Sequence, residues 1–165
     1  MTNDTVPMSK IDALTDAYLA GAGQLRQAVA GLSREQLLAR PVPGKWSTLE
    51  VVCHLADFEP VFADRMKRII ALDRPSLAAA DENLYAAKLT YHERDVAEEL
   101  AVIDVTRKQM ARILRPLSDS VLERVGIHSE RGPRTLADIL SGATNHIAHH
   151  LPFIAEKRKA LAAAK

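Results

Sequence analysis

Cysteine is nearly absent from this chain: Cys53 is the only one among 165 residues. No internal disulfide can staple the fold, and no cysteine cage can hold zinc. Aromatic residues are also scarce, at 4%. Ala and Leu dominate the apolar set instead, a balance that favours packed helices over sheets. Neither sign of charge prevails, with 22 Lys and Arg against 21 Asp and Glu. The basic residues do not cluster, so no polyanion footprint exists for nucleic acid or an anionic membrane. The densest basic run, Lys157-Arg158-Lys159, suits a helix C-terminus. No stretch is long and apolar enough to span a bilayer, and none near the N-terminus resembles a signal peptide. The expected address is a reducing cytoplasm.

The hydrophobic fraction, 47%, is ordinary for a globular protein, and the length suits one domain over residues 1–165 with one real core. No internal repeat or low-complexity linker suggests a second domain. Met1 to Met8 reads as a frayed start. A helical stripe of Ile11, Leu14, Tyr18, Ala22, Leu25 and Val29 then spans about Ser9 to Leu32, interrupted by Gly21 and Gly23 and stopped at Gly31. Ser33 and Gln36 have capping-box spacing for one short turn, after which Pro41, Pro43 and Gly44 force an irregular link.

The second long helix starts at Ser47, boxed by Glu50, and buries Val51, His54 or Leu55, Phe58, Phe62, Met66 and Ile69. Between Arg74 and His92 the pattern weakens, with a short helix possible around residues 77–85. A third helix runs from about Glu93 to Leu114, with Val96, Leu100, Ile103, Met110, Ile113 and Leu114 inward, and Pro116 ends it. The polar stretch from Leu122 to Pro133 suits a small hairpin or a loop. Thr135, with Asp138 three residues on, caps a fourth helix to about Leu161, whose inner stripe is Leu136, Leu140, Ala143, Ile147, His150 and Ile154. Four long amphipathic helices in one domain specify an all-α four-helix bundle.

Histidines carry the chemical signal. His146 and His150 are spaced i, i+4, so their imidazoles leave one helix face a turn apart. His54 lies on the inward stripe of another helix. Three neutral imidazoles on facing helices make a tripod for a mononuclear divalent metal, with a coordination position left for water or substrate. Imidazole suits Zn, Ni, Cu and Fe alike. The plainer alternative is three histidines packed in the core or paired at the surface. Ile147 stands where a zincin needs Glu, and no Glu-x-x-His motif exists for a di-metal site. Acid–base work would therefore fall to the metal, by lowering the pKa of a bound water or thiol.

Asp57 is the nearest carboxylate in sequence. It is a candidate catalytic group, orienting a ligand histidine or relaying a proton, against a surface pair with an arginine. His149 points about a quarter turn from His150 and faces solvent or the second layer of the site. Cys53 reads as a small buried hydrophobe. Trp46, just before a helix start, staples the loop to the bundle. His92 and His128 lie in loop-like stretches and receive no ligand role. Pro60 and Pro152 follow the ligands within two turns, and kinks there would open the bundle at the metal.

The run Trp46-Ser47-x-x-Glu50-Val51-x-x-His54-Leu55-x-Asp57, then Thr135-Leu136-x-Asp138, then His146-x-x-His149-His150, resembles the DinB-like superfamily, over nearly the whole chain. Pro152 departs from the polar residue such a chain would carry there. The resemblance implies an up-up-down-down bundle with a long crossover, a divalent metal such as Zn or Ni on His54, His146 and His150, and a homodimer. It further implies a low-molecular-weight-thiol S-transferase with a thiol cosubstrate, since such relatives include bacillithiol transferases and mycothiol-dependent isomerases. Two other functions fit the residues: a metal-dependent hydrolase, and a non-catalytic dimeric bundle that binds a small molecule or partner.

Overall fold

A computed structural model of the chain describes residues 8–163. Of the frayed start expected over Met1 to Met8, residues 1–7 lie outside the described residues. Helix α1 (Lys10–Val29) begins where the Ser9 hydroxyl accepts from the Asp12 amide, and it buries Ile11, Tyr18, Ala22, Leu25 and Val29. The Ser33–Gln36 capping box forms and starts the short α2 (Arg34–Leu38). Ser47 and Glu50 close a second box at the head of α3 (Thr48–Ala71), and Glu50 is also paired with Arg40. Each box satisfies donors that a helix start would otherwise leave orphaned.

Residues 72–95 form the long crossover. They contain a two-residue strand β1 (Ser76–Leu77), the helix α4 (Glu82–Lys88) and a tight 3-10 turn (Tyr91–Glu93). That turn delays the third long helix: α5 (Val96–Leu114) starts later than Glu93, where the Asp95 carboxylate accepts from the amides of Ala97 and Glu98. The expected hairpin exists as β2 (Val125–His128) and β3 (Gly132–Thr135). Strand β1 joins β2 in parallel, adding a small three-stranded sheet to the helical fold. Thr135 and Asp138 exchange cap hydrogen bonds, and α6 (Leu136–Ala163) follows. Both α3 and α6 run unbroken across Pro60 and Pro152.

The four long helices α1, α3, α5 and α6 form the bundle. Helices α1 and α3 each pack against both α5 and α6, which places α1 diagonal to α3. Two apolar clusters fix the directions. One holds Leu25 and Val29 of α1, Leu49 to Ala56 of α3, Leu100 and Ile103 of α5, and Ile147 and Ile154 of α6. The other holds Ile11, Met66 and Ile69, Met110 and Leu114, and Leu136 to Ala143 of the same four helices. Passing from the second cluster to the first, α1 and α6 run forward and α3 and α5 run backward. The order is therefore up-down-down-up, which corrects the up-up-down-down expectation. The physical reason is the placement of the crossover. The 30–47 link and the hairpin link each return the chain antiparallel, while only residues 72–95 carry it back the length of the bundle, so that α5 lies parallel to α3.

Between the clusters sits a buried polar knot. Arg107 is fully enclosed, donating Nη1 to the Tyr18 carbonyl at 2.5 Å and Nη2 to Glu59 at 2.9 Å and the Ala143 carbonyl at 2.8 Å. The Tyr18 hydroxyl completes it by donating to Glu59 at 2.5 Å. The knot ties all four long helices at mid-height.

Candidate metal centre

His54 projects from the first two turns of α3, directly after the capping box. His146 and His150 project from the middle of α6. The antiparallel packing of these helices brings the three rings together, with one ring nitrogen of each within 4.8 Å of the others. His54 Nε2 and His146 Nε2 stand 2.8 Å apart, and the ring centroids of the three pairs lie at 4.7, 5.0 and 5.1 Å. His54 is completely buried, while His146 and His150 are half-buried.

Burial makes these neutral bases. It holds His54 below the usual imidazole range, against the opposing pull of Glu82 and Asp57. Burial, with repulsion from His54, pushes His146 down to about 3 and His150 down to about 4. A metal ligand must be neutral imidazole, so the donors are in the required state across the neutral range.

The donor set fits a divalent ion. Tetrahedral ligands at about 2.0–2.1 Å place neighbouring nitrogens about 3.3 Å apart. The His54–His146 pair has only to part by about half an ångström to admit one. The remaining ring nitrogens are unusual, because His54 Nδ1 and His150 Nδ1 are buried without any hydrogen-bond partner. Ligand histidines are commonly oriented by a carboxylate or carbonyl on that atom. Here aromatic packing does the orienting. Phe58 and Trp46 lie 4.7 and 5.2 Å from the His54 ring, Phe62 lies 5.6 Å from His146, and Phe153 lies 5.2 and 5.9 Å from His149 and His150. All three Phe and the single Trp of a chain poor in aromatics surround the histidines.

Asp57 sits outside this cluster. Both of its oxygens accept from Arg94 at 2.9 Å, and Arg94 also reaches Glu99 at 2.5 Å. The carboxylate that does approach is Glu82, 3.8 Å from His54 Nε2. It stands on α4, in the crossover whose sequence pattern was weakest, so nothing in periodicity could have singled it out. His149 is exposed, and the exposed His92 stands 3.7 Å from Glu93. Cys53 is buried, with its thiol pushed up to about 12 by burial, and behaves as the expected small hydrophobe.

The cluster lies between two cavities. One, of about 610 Å³, is bounded by Phe58, Phe62, Glu82, His146 and His149, among others. The other, of about 240 Å³, is bounded by Trp46, His150, Phe153 and Lys157. Trp46 thus borders the site as well as stapling the loop.

The sequence resembles proteins of known family. A family model described as the DinB superfamily matches residues 17–154. A protein of Oceanobacillus iheyensis named "Putative metal-dependent hydrolase" is 30% identical over 82% of this chain and 79% of its own length. "Putative metal-dependent hydrolase YfiT" of Bacillus subtilis is 27% identical over 81% of this chain and 75% of its own. The solved structure of YfiT, described as "a probable metal-dependent hydrolase with an unusual four-helix bundle topology", superposes with a TM-score of 0.86 at 23% identity, covering 98% of this chain and 93% of that one. No helix among the described residues is long and apolar enough to cross a membrane.

Proposed function

The chain belongs to the DinB superfamily, and from that premise we propose that it is a metal-dependent enzyme acting on a small molecule, specifically a low-molecular-weight-thiol S-transferase. One observation carries the metal: three imidazoles, all held neutral by burial, converge within 4.8 Å beside a cavity large enough for a small molecule. His54, His146 and His150 would hold the ion. A divalent ion such as Zn or Ni there would supply Lewis acidity and lower the pKa of a coordinated thiol or water.

The chain's own residues account for the rest. Phe58, Phe62, Trp46 and Phe153 exclude water and fix the rings. Glu82, exposed on α4 and 3.8 Å from His54 Nε2, is placed to accept the proton a thiol gives up. Among the described residues, no other carboxylate lies within ion-pair distance of the three histidines. A thiol nucleophile suits such a site, because deprotonation alone makes it reactive. Asp57, ion-paired to Arg94, acts in this reading only by holding the crossover against α3. The reading also carries a homodimer in a reducing cytoplasm, with neither nucleic acid nor membrane as partner.

The second reading is a hydrolase. It rests on the same Glu82, which could equally take a proton from water. Thiol-dependent loss of monochlorobimane separates the two when followed with metal-loaded protein beside an ester and amide panel. Consumption that needs both the metal and an added thiol, and that vanishes in His146→Ala, supports the transferase. Hydrolysis without thiol replaces it with the hydrolase. Loss of neither substrate, with metal bound, leaves a binding bundle.

A further inference from the structure

The large cavity carries a second chemistry in its basic side chains. Arg65 of α3 and Arg131 and Arg134 of the β2–β3 hairpin all line it, together with His128. Arg65 is only 8% exposed. Its Nη2 donates to the Ala78 carbonyl at 2.7 Å, and its guanidinium carbon stands 5.9 Å from the centre of the Phe62 ring, but its buried Nε has no partner. Among the described residues, no carboxylate lies within ion-pair distance of Arg65, Arg131 or Arg134.

The acids that share the cavity are placed otherwise. Asp138 caps α6 by accepting from the Thr135 amide, Glu82 turns toward His54, and Glu130 lines the wall without pairing. Burying an unpaired guanidinium costs stability, and gathering two more beside it adds repulsion. An anion relieves both, and guanidinium forks suit planar or tetrahedral oxyanions. His128 contributes a fourth donor. Its Nδ1 accepts from the Glu130 and Arg131 amides at 3.2 and 3.4 Å. In the neutral ring that leaves Nε2 as the N–H.

We propose that Arg65, Arg131, Arg134 and His128 Nε2 form a subsite for an acidic group, a carboxylate or a phosphate, on the small molecule whose reacting end lies at His146. The substrate class is therefore an anionic one, anchored at the hairpin and presented to the histidines across the cavity. The placement of its reacting end rests on the proposed function; the anion subsite itself does not.

The test is binding by calorimetry to the full chain, both metal-free and metal-loaded, with succinate, inorganic phosphate and the neutral succinamide as probes. The variants are R131A/R134A, which leaves the buried Arg65 and the core in place, and K108A/R112A, which removes the same formal charge from the exposed face of α5. Succinate or phosphate should saturate the metal-free wild type while succinamide does not. R131A/R134A should weaken that binding about tenfold or more, and K108A/R112A should not. Whichever anion binds more tightly identifies the acidic group. Absence of saturable binding by either anion, undiminished binding in R131A/R134A, or equal weakening in K108A/R112A overturns the subsite. Anion binding in a protein that takes up no metal would sink the proposed function and leave the subsite standing; metal uptake without anion binding would do the reverse.

Discussion

His54 Nε2 and His146 Nε2 meet at 2.8 Å, although the residues stand 92 positions apart on helices that run in opposite directions. Two neutral imidazoles at that distance share one hydrogen bond and leave His54 Nδ1 buried and unpartnered. His54 and His146 would hold a divalent ion in place of that weak contact.

Metal uptake should therefore stabilise the fold. With free Zn or Ni at about a hundredfold over its dissociation constant, linkage adds about 2.7 kcal/mol. Differential scanning fluorimetry should show a higher Tm for wild type with Zn or Ni than with chelator. His146→Ala and His150→Ala should show no metal-dependent rise while keeping a cooperative transition. An equal rise in either variant would place the metal elsewhere.

Acid should destabilise the metal-free protein through the same rings. Burial depresses the folded-state pKa of His146 to about 3 and of His150 to about 4, against a usual value of 6.5. Above that usual value both states are neutral and the rings contribute no pH dependence. As pH falls below it, the unfolded chain binds protons that the folded chain refuses, so stability drops. Urea midpoints should fall between about pH 6.5 and pH 4 for wild type and fall less for His146→Leu. A parallel decline in both would show that other groups dominate.

Much of this was legible in the sequence, because the signals were local. Ser47 with Glu50 and Thr135 with Asp138 mark helix starts through hydrogen bonds made within four residues; the inward stripes carried His54 and His150 to facing surfaces, and the i, i+4 spacing set His146 beside His150. Helix direction was not legible, since it depends on how residues 72–95 travel and no periodicity records that path. Nor was the placement of Glu82 or of Arg65 and His128. His128 is paired with Leu77 across β1 and β2, and Arg65 donates to the Ala78 carbonyl just beyond β1; a two-residue parallel contact is too short to leave a pattern.

Gly21 and Gly23, two positions apart within the continuous helix α1, should behave oppositely. A Cβ on Gly21 would lie 2.5 Å from Arg107 Nη1, whereas one on Gly23 meets nothing within 4 Å. Alanine gains about 1 kcal/mol over glycine in a helix interior. Gly23→Ala should show that gain. In Gly21→Ala it is outweighed by about 1–3 kcal/mol of overpacking, because Arg107 is held by three helices and cannot swing aside. Chemical denaturation of the two variants should give shifts of opposite sign; a stabilised Gly21→Ala would mean that Arg107 is free to move.

The Arg107–Glu59 knot should contribute order more than stability. Burial raises the Glu59 carboxyl, while the Arg107 guanidinium and the Tyr18 hydroxyl pull it back, so desolvation and pairing oppose one another. Removing one partner strands a buried charge, and Arg107→Ala should cost about 3–5 kcal/mol. Replacing both, as in Arg107→Met with Glu59→Leu, removes the stranded charge and should recover most of that loss. What the double variant cannot recover is the clamp on the Ala143 carbonyl, one turn before His146 on α6. Its metal affinity should therefore fall while its unfolding midpoint stays near wild type. Competition against a chromogenic chelator, run beside urea denaturation, separates the two effects. Unchanged affinity in a stable double variant would show that aromatic packing alone holds His146 in place.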